Sequence, residues 1–214
     1  MKIEILYPEI CTLYGDKGNT MYLQKCLPDA EFVTTGLNEK PLFLRENIDM
    51  VYMCSMSEKS QELVLDRLMQ YKDEIAACMK DGKALFLLVG NSMELLGDYI
   101  KREDGTRVTG LGVVPGMYSV RQAPNRFNTL IKAKFNDMTL IGYTSRFAHT
   151  YGIPEDMTFC KVEIGQGSNP DTMNEGICKN RVIATYIHGP LLIQNPDFVH
   201  YLLEKLDAPM KEIP

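Results

Sequence analysis

The stretch KALFLLVGNSMELLG, residues 83–97, contains an apolar run, a tight turn and the start of a helix. Ala84 to Val89 is continuously apolar and too short to cross a membrane, so it is predicted to be a central strand covered on both faces. Asn91 is predicted to cap the following helix, with Glu94 completing a capping box. The corner between strand and helix falls at Gly90.

The residue at this corner decides how the turn is interpreted. In hydrolases, a sharp strand-to-helix corner lifts a nucleophilic side chain out of the sheet and directs the following amides at an oxyanion. Glycine at such a corner is also the residue that adopts a positive φ without strain. The turn alone therefore leaves a catalytic and a purely structural role for Gly90 open.

Strands and helices alternate through the first half of the chain. This alternation predicts an α/β fold of the flavodoxin-like type, with a doubly wound, mostly parallel sheet and a functional crevice at the carboxyl ends of its strands. The loops that contain Asp16, Ser55 and Gly90 are expected to converge there. The predicted strands are 2–7, 31–34, 48–54 and 84–89, and the predicted helices are 20–27 and 61–80.

Beyond Ile100 the chain is rich in glycine and in β-forming residues. This pattern predicts a β-rich, largely antiparallel C-terminal half that ends in a helix. Its predicted strands are 129–135, 138–144, 158–164 and 181–187, and the helix is 198–206. We expect one domain over residues 1–206 and a short C-terminal tail over residues 207–214.

The composition excludes several classes of function. With 214 residues, 45% of them hydrophobic and 24% charged, the chain suits one globular domain. A net charge of −5 and a pI near 5.3 argue against nucleic acid and anionic membranes as partners. The N-terminus lacks a signal-peptide pattern, so a cytoplasmic location is expected. The six cysteines are scattered and the three histidines are not clustered, which predicts reduced thiols, no metal and no cofactor.

His188 is the histidine best placed for acid–base chemistry, because it follows a predicted strand and precedes a Gly-Pro turn. His149 and His200 are weaker candidates.

Five segments carry a resemblance to a known family. They resemble the cobyric acid synthase type of class I glutamine amidotransferase domain, and among its members the glutaminase subunit of lipid II isoglutaminyl synthase. The likeness runs through nearly the whole chain in unbroken order. The segments are LYGDKGN (13–19), DGTRVTGLG (104–112), NRF (125–127), KNRVIATYIHGPLLIQNP (179–196) and YLLEKL (201–206).

The resemblance implies a glutamine-hydrolysing site with residues in defined roles. Such domains use a cysteine at the strand-to-helix elbow, a histidine, an aspartate and an arginine that grips the substrate. The resemblance assigns His188 as the general base, Asp16 as its supporting acid and Arg126 as the substrate clamp. The elbow cysteine falls on Gly90.

Three departures from the family pattern indicate that ordinary glutaminase activity is lost. GNSMELLG (90–97) stands where relatives resemble CGGYQLLG, and Cys54-Ser55-Met56 replaces the glycine loop that supplies an oxyanion amide. The segment ENHGGR appears as TSRFAH at 144–149. Removing a covalent nucleophile costs a rate factor on the order of 10⁶ in a protease precedent.

Three hypotheses follow. The favoured one is a non-hydrolysing amidotransferase-like subunit that binds a small amino-acid-like ligand or a Mur-ligase-like synthetase partner, in the amidation of a cell-wall or cobalamin-type precursor. The second is an active hydrolase or amidotransferase with a relocated nucleophile, Cys54 or Ser92. The third is a scaffold without a ligand.

Overall fold

A computed structural model describes residues 1–209 of the chain. Its strands are β1 Lys2–Leu6, β2 Glu31–Thr35, β3 Met50–Met53, β4 Leu85–Val89, β5 Tyr99–Lys101, β6 Arg107–Thr109, β7 Tyr118–Arg121, β8 Phe127–Phe135, β9 Met138–Arg146, β10 Ala148–Tyr151, β11 Thr158–Ile164, β12 Asn174–Lys179 and β13 Val182–Thr185. Its helices are α1 Lys17–Cys26, α2 Glu58–Met69, α3 Lys72–Asp81, α4 Leu191–Gln194 and α5 Pro196–Lys205, with a 3₁₀ helix at Gly90–Leu96.

The main sheet has nine strands in the order β2-β1-β3-β4-β13-β12-β11-β8-β9. Strands β2, β1, β3, β4 and β13 run parallel, and the remaining neighbours pair antiparallel. The antiparallel extension comes from the second half of the chain. The predicted α/β fold with a parallel, doubly wound portion and a β-rich C-terminal half is therefore confirmed.

Strand β4 lies in the middle of the parallel portion, between β3 and β13. All of its residues are buried, as are those of both neighbours. This burial explains the continuous apolar run, because a strand covered on both faces has no solvent-facing positions. The carboxyl ends of β3, β4 and β13 lie side by side, so Ser55, Gly90 and His188 follow adjacent strands.

Two local predictions were wrong. The helix predicted over 61–80 is interrupted at Gln70 and Tyr71, which separate α2 from α3. The segment after the elbow is a 3₁₀ helix without a side-chain cap. Instead of capping it, the Asn91 amide exchanges hydrogen bonds of 3.0 and 2.8 Å with the Met56 backbone, while Glu94 accepts from Gln61. Both polar side chains therefore bond residues outside this helix and do not cap it.

A second sheet of four strands, in the order β10-β7-β5-β6, was not predicted as a separate unit. Of the predicted tail, residues 210–214 lie outside the described part of the chain. Within residues 1–209, no helix is long and apolar enough to cross a bilayer. The same residues contain no group of three or more His, Cys, Asp or Glu side chains arranged to hold a metal ion.

Candidate functional site

The elbow at Gly90 is closely packed against Ser55. Gly90 has φ +71°, in the left-handed region that favours glycine. A Cβ atom built on Gly90 would lie 1.9 Å from Ser55 Oγ and 2.9 Å from Ser55 Cβ. Any side chain at this position would therefore overlap the serine. The space that a side chain at position 90 would enter is occupied by Ser55.

Asp16 holds Ser55 in this place. The Asp16 carboxylate, fully buried, accepts hydrogen bonds from Ser55 Oγ at 2.9 Å and from the Ser55 backbone N–H at 3.4 Å. The backbone N–H of Gly189, next to His188, also donates to it. One carboxylate thus connects the loop after β1, the loop after β3 and the turn after β13.

Burial changes the acidity of Asp16. Its pKa is raised from 3.8 to about 6, chiefly because burial penalises the charged form, while the hydrogen bonds from Ser55 and Gly189 act in the opposite direction. A carboxyl group whose pKa is higher in the folded state favours folding when protonated. Its contribution to stability is full below pH 3.8 and is lost as the pH rises through about 6.

Replacing Asp16 with asparagine should therefore change the pH dependence of stability. Between pH 4 and pH 7 the free energy of unfolding of the wild type should fall relative to that of Asp16→Asn by about 2 kcal/mol. Urea denaturation of both proteins at several pH values in this range measures the difference, and contributions from the histidines cancel. A difference that stays constant with pH would show that Asp16 titrates normally.

The His188 side chain is buried against two tyrosine rings and a backbone N–H group. It is 1% exposed, its ring stacks on Tyr14 with centroids 4.4 Å apart, and the Tyr143 ring meets it edge-on at 4.3 Å. Nε2 accepts the backbone N–H of Ser145 at 3.0 Å. Burial is the main reason that the pKa of His188 is lowered from 6.5 to about 4. His188 is therefore a neutral imidazole at neutral pH, and its Nε2 lone pair is engaged with Ser145.

The two alternative nucleophiles are buried and donate to backbone carbonyls. Cys54 Sγ donates to the carbonyl of Cys11 at 2.6 Å, and burial raises the pKa of its thiol. The Ser92 hydroxyl donates to the carbonyl of Val89 at 2.8 Å. A reactive thiolate requires a lowered pKa and an accessible sulfur, whereas Cys54 has neither feature.

Arg126 is exposed, unlike the residues of this buried centre. Its guanidinium carbon lies 4.5 Å from the centroid of the Phe147 ring on the protein surface. The structure thus brings Asp16 and Gly90 together through Ser55, and links Asp16 to the His188 turn through Gly189. Arg126 remains exposed in this arrangement, while Asp16 and His188 are buried.

Sequence reasoning assigned no role to Ser55 or to Arg146, yet both are central to the buried polar structure. Ser55 occupies the space beside the elbow, and Arg146 is a buried cation at the end of β9. The signals were present in two departures from the family pattern, since serine stands in the glycine loop and arginine stands within TSRFAH (144–149).

Comparison with known proteins identifies the family of this chain. The model of the CobB/CobQ-like glutamine amidotransferase domain matches residues 2–196. The chain belongs to this family.

Two curated relatives are each named lipid II isoglutaminyl synthase (glutamine-hydrolyzing) subunit GatD. The one from Streptococcus pneumoniae is 26% identical over 95% of this chain and 79% of its own length. The one from Staphylococcus aureus is 26% identical over 90% of this chain and 79% of its own length.

Solved structures agree on the fold of this CobB/CobQ-like chain. A crystal structure of a glutamine amidotransferase superposes with a TM-score of 0.61 at 14% identity, covering 96% of this chain and 99% of the other. At that identity the likeness concerns the fold alone.

Proposed function

We propose that this CobB/CobQ-like chain is a GatD-related subunit that does not hydrolyse glutamine and acts by binding a small amino-acid-like ligand or a synthetase subunit. The observation that carries the proposal is the contact at the elbow, where a Cβ at Gly90 would lie 1.9 Å from Ser55 Oγ. A thioester requires a nucleophilic side chain directed at the substrate carbon. Gly90 has none, and Ser55 occupies the space into which one would project.

The contacts of the remaining thiol and hydroxyl groups support the same conclusion. Cys54 and Ser92 each donate to a main-chain carbonyl and not to a basic side chain, whereas an activated nucleophile gives its proton to a base. Ser55 does lie beside a carboxylate, but it is 2% exposed. A hydrolase with a relocated nucleophile is therefore the less well supported alternative, and Ser55 joins Cys54 and Ser92 among the residues that it would have to use.

The partner is proposed from the relatives. Their names describe a subunit of a glutamine-hydrolysing lipid II isoglutaminyl synthase, and this chain aligns with 79% of each of them. A subunit that has lost hydrolysis can still contribute a binding surface to such an assembly. We propose a Mur-ligase-like synthetase subunit as the protein partner and amidation of a cell-wall precursor as the setting.

A ligand-binding measurement tests the proposal. Glutamine or a close analogue, titrated to about a hundredfold excess over its dissociation constant, should raise the melting temperature by roughly 5–10 °C. Arg126→Ala should abolish this shift and leave the melting temperature without ligand nearly unchanged, because an exposed guanidinium contributes little to the core. The proposed contact is a charge-assisted pair between Arg126 and the ligand carboxylate.

Arg107→Ala is the matched control. Arg107 is also exposed, and its guanidinium carbon lies 4.1 Å from the Tyr99 ring centroid, so the variant loses the same type of surface contact. It should keep the full shift. Ligand binding through Arg126 is contradicted if no amino acid produces a shift, or if the shift persists in Arg126→Ala. Binding of the partner protein is then the remaining part of the proposed function.

A further inference from the structure

Arg146 is a buried cation with donors that no described residue accepts. It ends β9 and is 3% exposed. Its Nη2 donates to the backbone carbonyl of Gly167, and its guanidinium carbon lies 4.2 Å from the Tyr186 ring centroid. Within residues 1–209, its Nε and Nη1 have no hydrogen-bond partner. Buried donors are almost always paired, so these atoms require an acceptor.

The charge of Arg146 is also uncompensated by direct contact. In the described part of the chain it forms no ion pair. Glu94 and Glu175 act on it electrostatically, but their oxygens accept hydrogen bonds from neutral groups. Arg121, another buried arginine, instead lies 2.6 Å from Glu62. A guanidinium stays protonated when buried, so Arg146 needs a counter-ion more than Arg121 does.

Other buried polar atoms around Arg146 are also unpartnered among the described residues. They are Thr144 Oγ1, His149 Nδ1 and His188 Nδ1. Thr144 shares a face of β9 with Arg146, and His149 and His188 are close enough for the Arg146 charge to add to the burial that lowers their pKa. We call these four residues the Arg146 cluster.

The protonation of His188 adds a donor to this cluster. Its Nε2 accepts the Ser145 N–H, so the neutral ring carries its proton on Nδ1. The Nδ1–H group of His188 and the unpartnered Nε and Nη1 groups of Arg146 are all donors. The cluster therefore contains unpartnered donors within range of an uncompensated positive charge.

We propose that the Arg146 cluster binds a small monoanion, either a carboxylate or an inorganic ion of similar size, through the unpartnered Nε and Nη1 donors of Arg146. Such an anion would supply the missing acceptors and the missing negative charge together, whereas a water molecule would supply only acceptors. The proposal goes beyond the ligand site at Arg126 and does not depend on it, since it involves neither the elbow nor the surface arginine.

The test uses the intact protein with sodium nitrate and sodium acetate as probes, titrated at constant ionic strength and neutral pH against sodium HEPES. In the wild type, at least one of the two should raise the melting temperature in a saturable way, by roughly 5–10 °C at a hundredfold excess over its dissociation constant. Tighter binding of acetate would identify a carboxylate site, and tighter binding of nitrate an inorganic anion site. The response should disappear in Arg146→Met and remain in Arg121→Met, which also loses a buried arginine.

A saturable response that persists in Arg146→Met would overturn the proposal, as would a wild type that responds to neither anion. If Arg146→Met does not fold, crystals of the wild type soaked in sodium bromide provide the second measurement. An anomalous peak within hydrogen-bond distance of Arg146 Nε or Nη1 is expected. Its absence from well-diffracting soaked crystals would equally contradict the site.

Discussion

Gly90→Ala should destabilise the protein by about 3–5 kcal/mol, because the new methyl group strains the backbone and either overlaps Ser55 or displaces it from Asp16. The φ of +71° strains any residue with a Cβ. The Cβ overlaps Ser55 Oγ, at 1.9 Å. If Ser55 rotates away, the buried Asp16 carboxylate loses its 2.9 Å hydrogen bond. Urea denaturation of the purified variant measures the loss.

A double-mutant cycle separates overlap from backbone strain. Ser55→Gly removes the overlapping atoms, so Gly90→Ala should cost less in that background than in the wild type, by roughly 1–3 kcal/mol. Gly105→Ala is the matched control, because Gly105 has φ +85° and nothing within 4 Å of the position of a Cβ. It should lose only about 1–2 kcal/mol from backbone strain. If Gly90→Ala costs no more than this control, Ser55 does not fill the elbow.

The positions of the site loops could be predicted from the sequence because they depend on strand order and buried apolar runs. The run from Ala84 to Val89 predicted a central strand, and the glycine after it predicted a corner. In an alternating α/β chain, the carboxyl ends of parallel strands meet at one edge of the sheet. The convergence of the loops that contain Asp16, Ser55 and Gly90 follows from this arrangement.

Side-chain partners could not be predicted in the same way, because they depend on which groups tertiary packing brings together. Asn91 has the sequence context of a helix cap, yet its amide bonds the Met56 backbone from the neighbouring loop. Arg126 was assigned from a motif, and the motif carries no information about exposure. Arg146 lies within TSRFAH (144–149), and its burial could not be predicted because sequence alone does not distinguish a buried guanidinium from a surface one.

The close contact between Gly90 and Ser55 also bears on whether a cysteine nucleophile can be introduced at the elbow. Gly90→Cys alone should recover little activity, because its Cβ would overlap Ser55 and because the loop 54–56 lacks the glycine amides of the family pattern. Adding Ser55→Gly removes the overlap and places one glycine in this loop, but positions 54 and 56 still differ from the family pattern. A strong recovery in the single variant would show that the elbow and its oxyanion amides remain functional.

Release of ¹⁵N-ammonia from amide-labelled glutamine tests the central claim most directly. The purified protein, assayed alone and together with the proposed synthetase partner, should release none above the uncatalysed background. An intact cysteine at the elbow would be expected to increase the rate by a factor on the order of 10⁶ over an enzyme without its nucleophile, so the two outcomes are widely separated. Turnover that is abolished by Ser55→Ala, Cys54→Ala or Ser92→Ala would contradict the account and identify the relocated nucleophile.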